Sequence, residues 1–290
     1  MWDTFYYSAE VVQSVLLTHI ILRTMIWSFR HCCCLILLLH LTQKCVVSYK
    51  YPFQPKICLF SSRRACAAQK EKEGAILKDA FSTIDTKAAK MTLGRMFVYS
   101  AALGPLLDNY HGLFNVLNYK EGVPLLLQLN AHTVLKTAIW VPPLFGLAGI
   151  TMASLTLIGD SFLKTNRSLT EPSWSKVFYG ISFFSAQYYL SGLLDSLGLP
   201  SAAIHLILAS LACLGFLLFD TSFTGLLVGI CTALAGPAAE LLLINGSNGQ
   251  LYSYTHADWF GICSWIPWVY LLGAPAVGNL ARRVYLDETR

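Results

Sequence analysis

The sequence predicts an all-α, polytopic membrane protein built as a six-helix transmembrane bundle. Hydrophobic residues make up 55% of the 290 residues and charged residues only 13%, and the mean hydropathy is +0.52. A typical soluble domain carries about 25% charged residues, and a soluble fold could not bury this much apolar surface. Apolar runs alternate with short polar loops, as in helices that cross a bilayer. Basic residues form no stripe with interleaved aromatic residues, so nothing indicates a nucleic acid partner.

The first 92 residues precede the predicted membrane domain and divide into two parts. Residues 1–50 form an apolar N-terminal segment that contains Arg23 and Arg30. Each arginine costs about 2.5–3.5 kcal/mol near the middle of a span, so we do not expect this segment to cross the membrane. It forms either an interfacial helix or a targeting segment. Residues 51–92 are basic and polar, and their Ser- and Arg-rich sequence is typical of a transit peptide. They form either a targeting region or an ordinary polar linker.

The six-span membrane domain is predicted at residues 93–283. Its spans are expected at residues 93–117, 138–160, 174–195, 202–219, 224–244 and 260–280. The first span is the least regular, because Gly104, Pro105 and Asp108 interrupt its apolar run. In the second span the early prolines cost little, since the N–H groups of a first turn have no helical partner. The fourth and fifth spans are so closely joined that they must form an antiparallel hairpin.

Lysine and arginine residues predict how the spans are oriented. They cluster before the first span, after the second and after the sixth, where residues 284–290 form a C-terminal tail: Lys87, Lys90, Arg95, Lys164, Arg167, Lys176, Arg282, Arg283 and Arg290. The loops on the opposite face contain only Lys120 and Lys136. Because basic loops stay on the cytosolic side, both termini are expected to face the cytosol, or the stroma in a plastid membrane.

Three residues of the fifth span are candidates for a lipid pocket. Glu240 is acidic inside an apolar run, and hydrocarbon penalises such a group unless it is paired or faces a cavity. Its alternative role is a structural hydrogen bond to a neighbouring helix or contact with the interface. Gly236 and Pro237 are expected either to pack closely against another helix or to loosen the span and open a cleft for an apolar ligand.

Signatures of enzymes, cofactor sites and metal sites are missing from the sequence. It contains no HExxH motif, no GxSxG motif with triad partners and no phosphate-binding loop. The nine cysteines form no CxxC pair or zinc-binding spacing. We therefore expect no catalytic residues, no cofactor and no metal.

A series of short motifs follows a fixed order between about residue 138 and residue 283. They are Trp140, Pro142 and Pro143 at the start of the second span, Asp220 at the end of the fourth, Asn245 and Gly246 after the fifth, Tyr254 in the last loop, Trp265 and Pro267 at the start of the sixth, and Gly278 and Asn279 at its end. Each motif is weak alone. Their order and spacing resemble the insulin-induced gene (Insig) family, whose members regulate sterol synthesis.

The resemblance implies a non-enzymatic regulator in the endoplasmic reticulum whose helix bundle encloses a lipid, either a sterol or a diacylglycerol. In the family, an aspartate at the cytosolic end of the fourth span contributes to docking of another polytopic membrane protein, and it matches Asp220. The remaining motif residues are implied structural determinants. Two departures stand out: Thr221, Ser222 and Phe223 replace the basic residues that follow this aspartate in animal members, and Glu240 replaces a glutamine.

A second hypothesis keeps the fold and changes the function. The transit-like sequence of residues 51–92 favours a plastid or other organelle membrane, where the chain would act as a transporter or an assembly factor. The two hypotheses differ in compartment, with the endoplasmic reticulum expected from the family resemblance and a plastid membrane as the alternative.

Overall fold

A computed structural model of the chain describes residues 84–120, 124–129 and 132–290. The predicted N-terminal segment and most of the predicted linker lie outside these residues. The described helices are α1 (Thr86–Leu113), α2 (Val141–Leu163), α3 (Arg167–Thr170), α4 (Trp174–Ser196), α5 (Ser201–Phe219), α6 (Phe223–Gly246) and α7 (Ile266–Glu288). The described strands are β1 (Leu117–Tyr119), β2 (Pro124–Leu129), β3 (His132–Ala138) and β4 (Tyr252–Tyr254).

The six long helices coincide with the six predicted spans and confirm the all-α bundle. Three of them, α2, α5 and α6, are long and apolar enough to cross a membrane by length and composition. Helix α7 contacts each of the other five long helices. The segment that carries the last group of motifs is therefore the centre of the bundle.

Helices α1 and α7 are longer than the sequence predicted, because their outer ends stabilise each other. The Asp85 carboxylate caps α1 and accepts hydrogen bonds from the N–H groups of Lys87, at 2.8 Å, and Ala88, at 3.1 Å. The N–H of Asp85 donates to the hydroxyl of Tyr285 at 2.9 Å, and Arg95 forms a 2.7 Å ion pair with Glu288. We call this end of the bundle, with the start of α1 and the end of α7, the termini end.

Helix α1 continues through the residues that were expected to interrupt it. Pro105 lies inside the helix, and Gly104 and Asp108 are buried. A proline within a helix removes one backbone hydrogen bond, so packing must compensate. At Gly104 an added Cβ would lie 2.0 Å from Cγ of Phe145 on α2, which shows how closely the two helices approach. The first predicted span is therefore a continuous helix, and its close contact with α2 involves a residue that is distant in sequence.

Short strands connect the loops at the other end of the bundle. Strand β1 follows α1 and pairs antiparallel with β4, which precedes α7, with Leu117 opposite Tyr254 and Tyr119 opposite Tyr252. Strands β2 and β3 form an antiparallel hairpin between α1 and α2. None of the four strands was predicted from the sequence. We call this end, with β1 and β4, the strand end.

Candidate cavity and polar clusters

An apolar cavity of about 320 Å³ lies among five helices, α1, α2, α4, α6 and α7. Its walls include Leu107, Phe145, Met152, Phe184, Ala235 and Val269. This volume lies at the lower end of the range for small-molecule sites, which are also mostly apolar with a few polar groups. The bundle therefore contains a space that suits an apolar ligand.

The cavity opens between α2 and α6. The residues of its wall that are exposed belong to these two helices: Ala148, Thr151, Leu155, Cys231, Ala235 and Ala239. Towards the termini end the two helices come together, since the hydroxyls of Thr165, just after α2, and Thr224 are 2.9 Å apart. The opening therefore lies between two helices that are long and apolar enough to cross a membrane.

Two of the three predicted pocket residues line this cavity. Glu240 and Gly236 belong to its wall, whereas Pro237 is buried within α6 and does not line it. Helix α6 runs unbroken past Gly236 and Pro237, so no loosened helix creates the cleft. Instead, Gly236 admits the ring of Tyr270, because an added Cβ would lie 2.5 Å from ring carbons of Tyr270.

Glu240 is held by two tyrosine hydroxyls. Tyr270 of α7 donates to one carboxylate oxygen at 2.6 Å, and Tyr254 of β4 donates to the other. Tyr254 and Tyr270 follow Glu240 by 14 and 30 residues, so no local sequence pattern predicts these contacts. These two hydrogen bonds supply part of the donors that a half-buried carboxylate needs.

A buried cluster at the termini end surrounds Arg282. Its guanidinium forms hydrogen bonds with Asp160 at 2.7 and 3.0 Å, Ser222 at 2.9 Å and Asn279 at 3.1 Å. It also forms a 3.0 Å ion pair with Asp220, and both side chains are 1% exposed. The cluster joins the ends of α2 and α5 to the start of α6 and to α7. The Asp220 carboxylate therefore lies inside the bundle, in an ion pair with Arg282.

Two of the predicted structural motifs have the same geometry. Trp140 is the N-cap of α2 and Trp265 is the N-cap of α7, and each helix has proline in its first turn, Pro142 and Pro143 in α2 and Pro267 in α7. The Trp140 ring lies 5.6 Å from the Tyr252 ring, centroid to centroid, and Trp265 is 1% exposed. These motifs fix where two helices begin and attach them to the strand end.

The other motif residues lie at helix ends and at one helix contact. Asn245 and Gly246 form the last residues of α6. Gly278 contacts Thr156 of α2, where an added Cβ would lie 3.2 Å from the threonine hydroxyl. Asn279 donates through Nδ2 to the carbonyl of Phe219 at 2.5 Å. Asn279 thus supports the same cluster as Arg282.

A polar cluster that no sequence pattern predicted lies at the strand end. Asp258 accepts hydrogen bonds from the Ser201 hydroxyl at 2.7 Å, and from the Ser264 N–H at 2.6 Å and hydroxyl at 2.8 Å. Burial acts to raise the pKa of Asp258, but these hydrogen bonds outweigh it and lower the pKa. Nearby, His256 Nδ1 lies 2.8 Å from the Asp195 carboxylate. Asp195 and Ser201 are distant in sequence from the loop that contains His256 and Asp258, and no local motif connects them.

His205 and Ser264 meet within this cluster, but not in the arrangement of a nucleophile and its base. The indole N–H of Trp268 donates to His205 Nδ1 at 2.8 Å, so a neutral ring carries its proton on Nε2. That N–H points to the Ser264 oxygen at 2.9 Å, and the Ser264 hydroxyl donates to Asp258. A histidine that donates to a serine cannot take its proton. The described residues also contain no group of His, Cys, Asp and Glu suited to a metal ion.

The fold and the cavity define a polytopic helical membrane protein that encloses an apolar space. No family model matches the chain. It is 28% identical to insulin-induced gene 1 protein of Xenopus tropicalis over 216 residues, which cover 74% of this chain and 82% of the relative. It is 31% identical to insulin-induced gene 1 protein of Homo sapiens over 173 residues, which cover 59% of this chain and 60% of the relative.

The fold is also similar to a solved structure. The crystal structure of an Insig homologue from Mycobacterium vanbaalenii matches with a TM-score of 0.55 and 17% identity, over 70% of this chain and 96% of that chain. Together, the sequence similarity and the shared fold support the assignment of this chain as a divergent member of the Insig family.

Proposed function

We propose that the chain is a non-enzymatic membrane regulator that binds a lipid, a sterol or a diacylglycerol, inside its helix bundle. The observation that carries this proposal is the apolar cavity, which opens between α2 and α6 and contains a polar group, Glu240. Family similarity supports the regulatory role, and the His205–Ser264 geometry offers no nucleophile. The endoplasmic reticulum is the compartment expected from the family.

Native mass spectrometry of the detergent-purified full chain tests the lipid proposal. We expect one lipid per chain, identified after extraction as a sterol or a diacylglycerol. A Gly236→Leu variant, which places a side chain against Tyr270, should lose that lipid, whereas Gly94→Leu should retain it, because no atom lies within 4 Å of a Cβ added at Gly94. Retention of no lipid by the wild-type chain would contradict the proposal.

Regulation also requires a partner, which we propose to be another polytopic membrane protein that docks at the termini end. A ligand shifts a binding equilibrium only if its affinity differs between two conformations. Because Asp220 is buried against Arg282, its contribution to docking would act through the shape of the termini end. Co-purification of membrane partners should fall for Asp220→Asn and persist for Gln250→Ala, an exposed residue beside β4 at the strand end. Equal co-purification with both variants would remove Asp220 from the docking proposal.

The compartment separates this proposal from an organelle transporter or assembly factor. A fluorescent protein that carries residues 1–92 at its N-terminus provides the measurement. Import of the fusion into a plastid or mitochondrion would favour the alternative. Absence of such import would favour the endoplasmic reticulum.

A further inference from the structure

Glu240 is the charged residue of the cavity wall, and it is acidic. Among the described residues that line the cavity, none is Lys, Arg or His. An anionic group brought into the cavity would therefore meet the carboxyl group of Glu240 without a compensating cation, which is costly in an apolar environment.

Glu240 also has unused hydrogen-bonding capacity. An ionised carboxylate offers about four acceptor sites, and Tyr254 and Tyr270 occupy one on each oxygen. Two other hydroxyls of the cavity wall, those of Thr151 and Thr232, are engaged elsewhere, because each donates to a carbonyl of its own helix, those of Leu147 and Val228. Glu240 belongs to the wall of a cavity that is otherwise mainly apolar.

We infer that Glu240 selects the bound lipid by its headgroup. It accepts a hydrogen bond from a free hydroxyl on an uncharged headgroup, and it disfavours the binding of anionic lipids. This inference rests on the proposed lipid-binding function and adds the determinant of specificity. Glu240 lies towards the strand end, beside β4, so the hydroxyl of the lipid points to that end. A cavity of about 320 Å³ holds the headgroup and the first part of the chains, and the rest passes between α2 and α6 into the bilayer.

Three glycerolipids with identical acyl chains test the inference on the detergent-purified full chain. They are 1,2-dioleoylglycerol, the same glyceride acetylated at its free hydroxyl, and dioleoyl phosphatidic acid. Because a hydrogen bond to a charged group is worth about 1.5–3 kcal/mol, acetylation should weaken binding about tenfold or more. Phosphatidic acid should bind still more weakly. Cholesterol and its methyl ether are compared in the same way. Weaker binding of the methyl ether than of cholesterol would identify a sterol as the source of the hydroxyl.

A matched pair of variants assigns the selectivity to Glu240. Glu240→Gln keeps an acceptor for a tyrosine hydroxyl and removes the charge. The affinity for phosphatidic acid, relative to that for dioleoylglycerol, should therefore rise at least about tenfold. Glu171 lies at the termini end and is 43% exposed, so Glu171→Gln should leave the ratio of the affinities for phosphatidic acid and dioleoylglycerol unchanged. Thermal unfolding of both variants shows whether they remain folded. The comparison of the three glycerolipids on the wild type tests the inference even if a variant unfolds.

The outcomes separate this inference from the function on which it rests. Equal binding of dioleoylglycerol and its acetylated form, or an unchanged ratio in Glu240→Gln, would overturn the role of Glu240 and leave lipid binding intact. If none of the glycerolipids or sterols binds to the wild type, the proposed function itself fails and the inference with it.

Discussion

The carboxylate of Asp220 and the guanidinium of Arg282 form a buried ion pair, 3.0 Å apart, between the C-terminal end of α5 and the outer part of α7. Both side chains are 1% exposed, and Asp160 binds the same guanidinium. Isolated charges at such a site would be strongly unfavourable, so each partner depends on the other. The pair makes the termini end of the bundle a single connected unit.

Removal of one member of this pair should destabilise the bundle. Arg282→Met leaves the carboxylates of Asp160 and Asp220 without their cation, and breaking a buried pair in this way costs about 3–5 kcal/mol. Thermal unfolding in detergent should show a large fall in the unfolding temperature. Arg167→Ala, which removes an exposed ion pair with Glu171, should change the unfolding temperature little. Similar behaviour of both variants would contradict the structural role of Arg282.

The contact between Gly104 and Phe145 should be sensitive to a single methyl group. An added Cβ at Gly104 would lie 2.0 Å from Cγ of Phe145, so Gly104→Ala should destabilise the protein by about 1–3 kcal/mol through overpacking. Gly94→Ala in the same helix meets no atom within 4 Å and should be neutral or stabilising by up to about 1 kcal/mol. The double variant Gly104→Ala with Phe145→Leu should recover part of the loss. Equal unfolding temperatures for the two single variants would show that α1 and α2 are not so closely packed.

Acid should weaken the strand end through Asp258. Its pKa is lower in the folded chain than in the unfolded chain, because Ser201 and Ser264 donate to the ionised carboxylate. The resulting stabilisation is present above the unfolded pKa of about 3.9 and is lost as the pH falls through the folded value. Thermal unfolding of wild type and Asp258→Asn should therefore differ at pH 6 and converge below about pH 4. A difference that does not narrow with acid would assign the effect to packing.

Cys231 provides a direct probe of cavity occupancy. It is a free, exposed cysteine in the cavity wall, whereas Cys213 of α5 does not line the cavity. A bound lipid should slow alkylation of Cys231 by an apolar maleimide and leave the rate at Cys213 unchanged. Peptide mass spectrometry resolves the two sites. If added lipid slows both equally, the protection reflects a detergent effect and not ligand binding.

Much of the fold could be predicted from the sequence, because each long helix is encoded locally. The apolar runs and short polar loops located all six long helices, and the Trp–Pro starts of α2 and α7 were visible at Trp140 and Trp265. Strands β1 and β4 were not, because each has three residues and they pair across more than 130 residues of chain. A pattern of that length carries almost no local signal.

The sequence by itself determined a helical membrane bundle, its order of helices and an acidic residue, Glu240, within an apolar span. Only the tertiary structure decided what surrounds these residues. It placed Tyr254 and Tyr270 on Glu240, buried Asp220 against Arg282, and left a cavity among five helices. The physical reason is that hydrophobicity and helix starts act over a few turns, whereas ion pairs, hydrogen bonds and cavities depend on which helices come together in space.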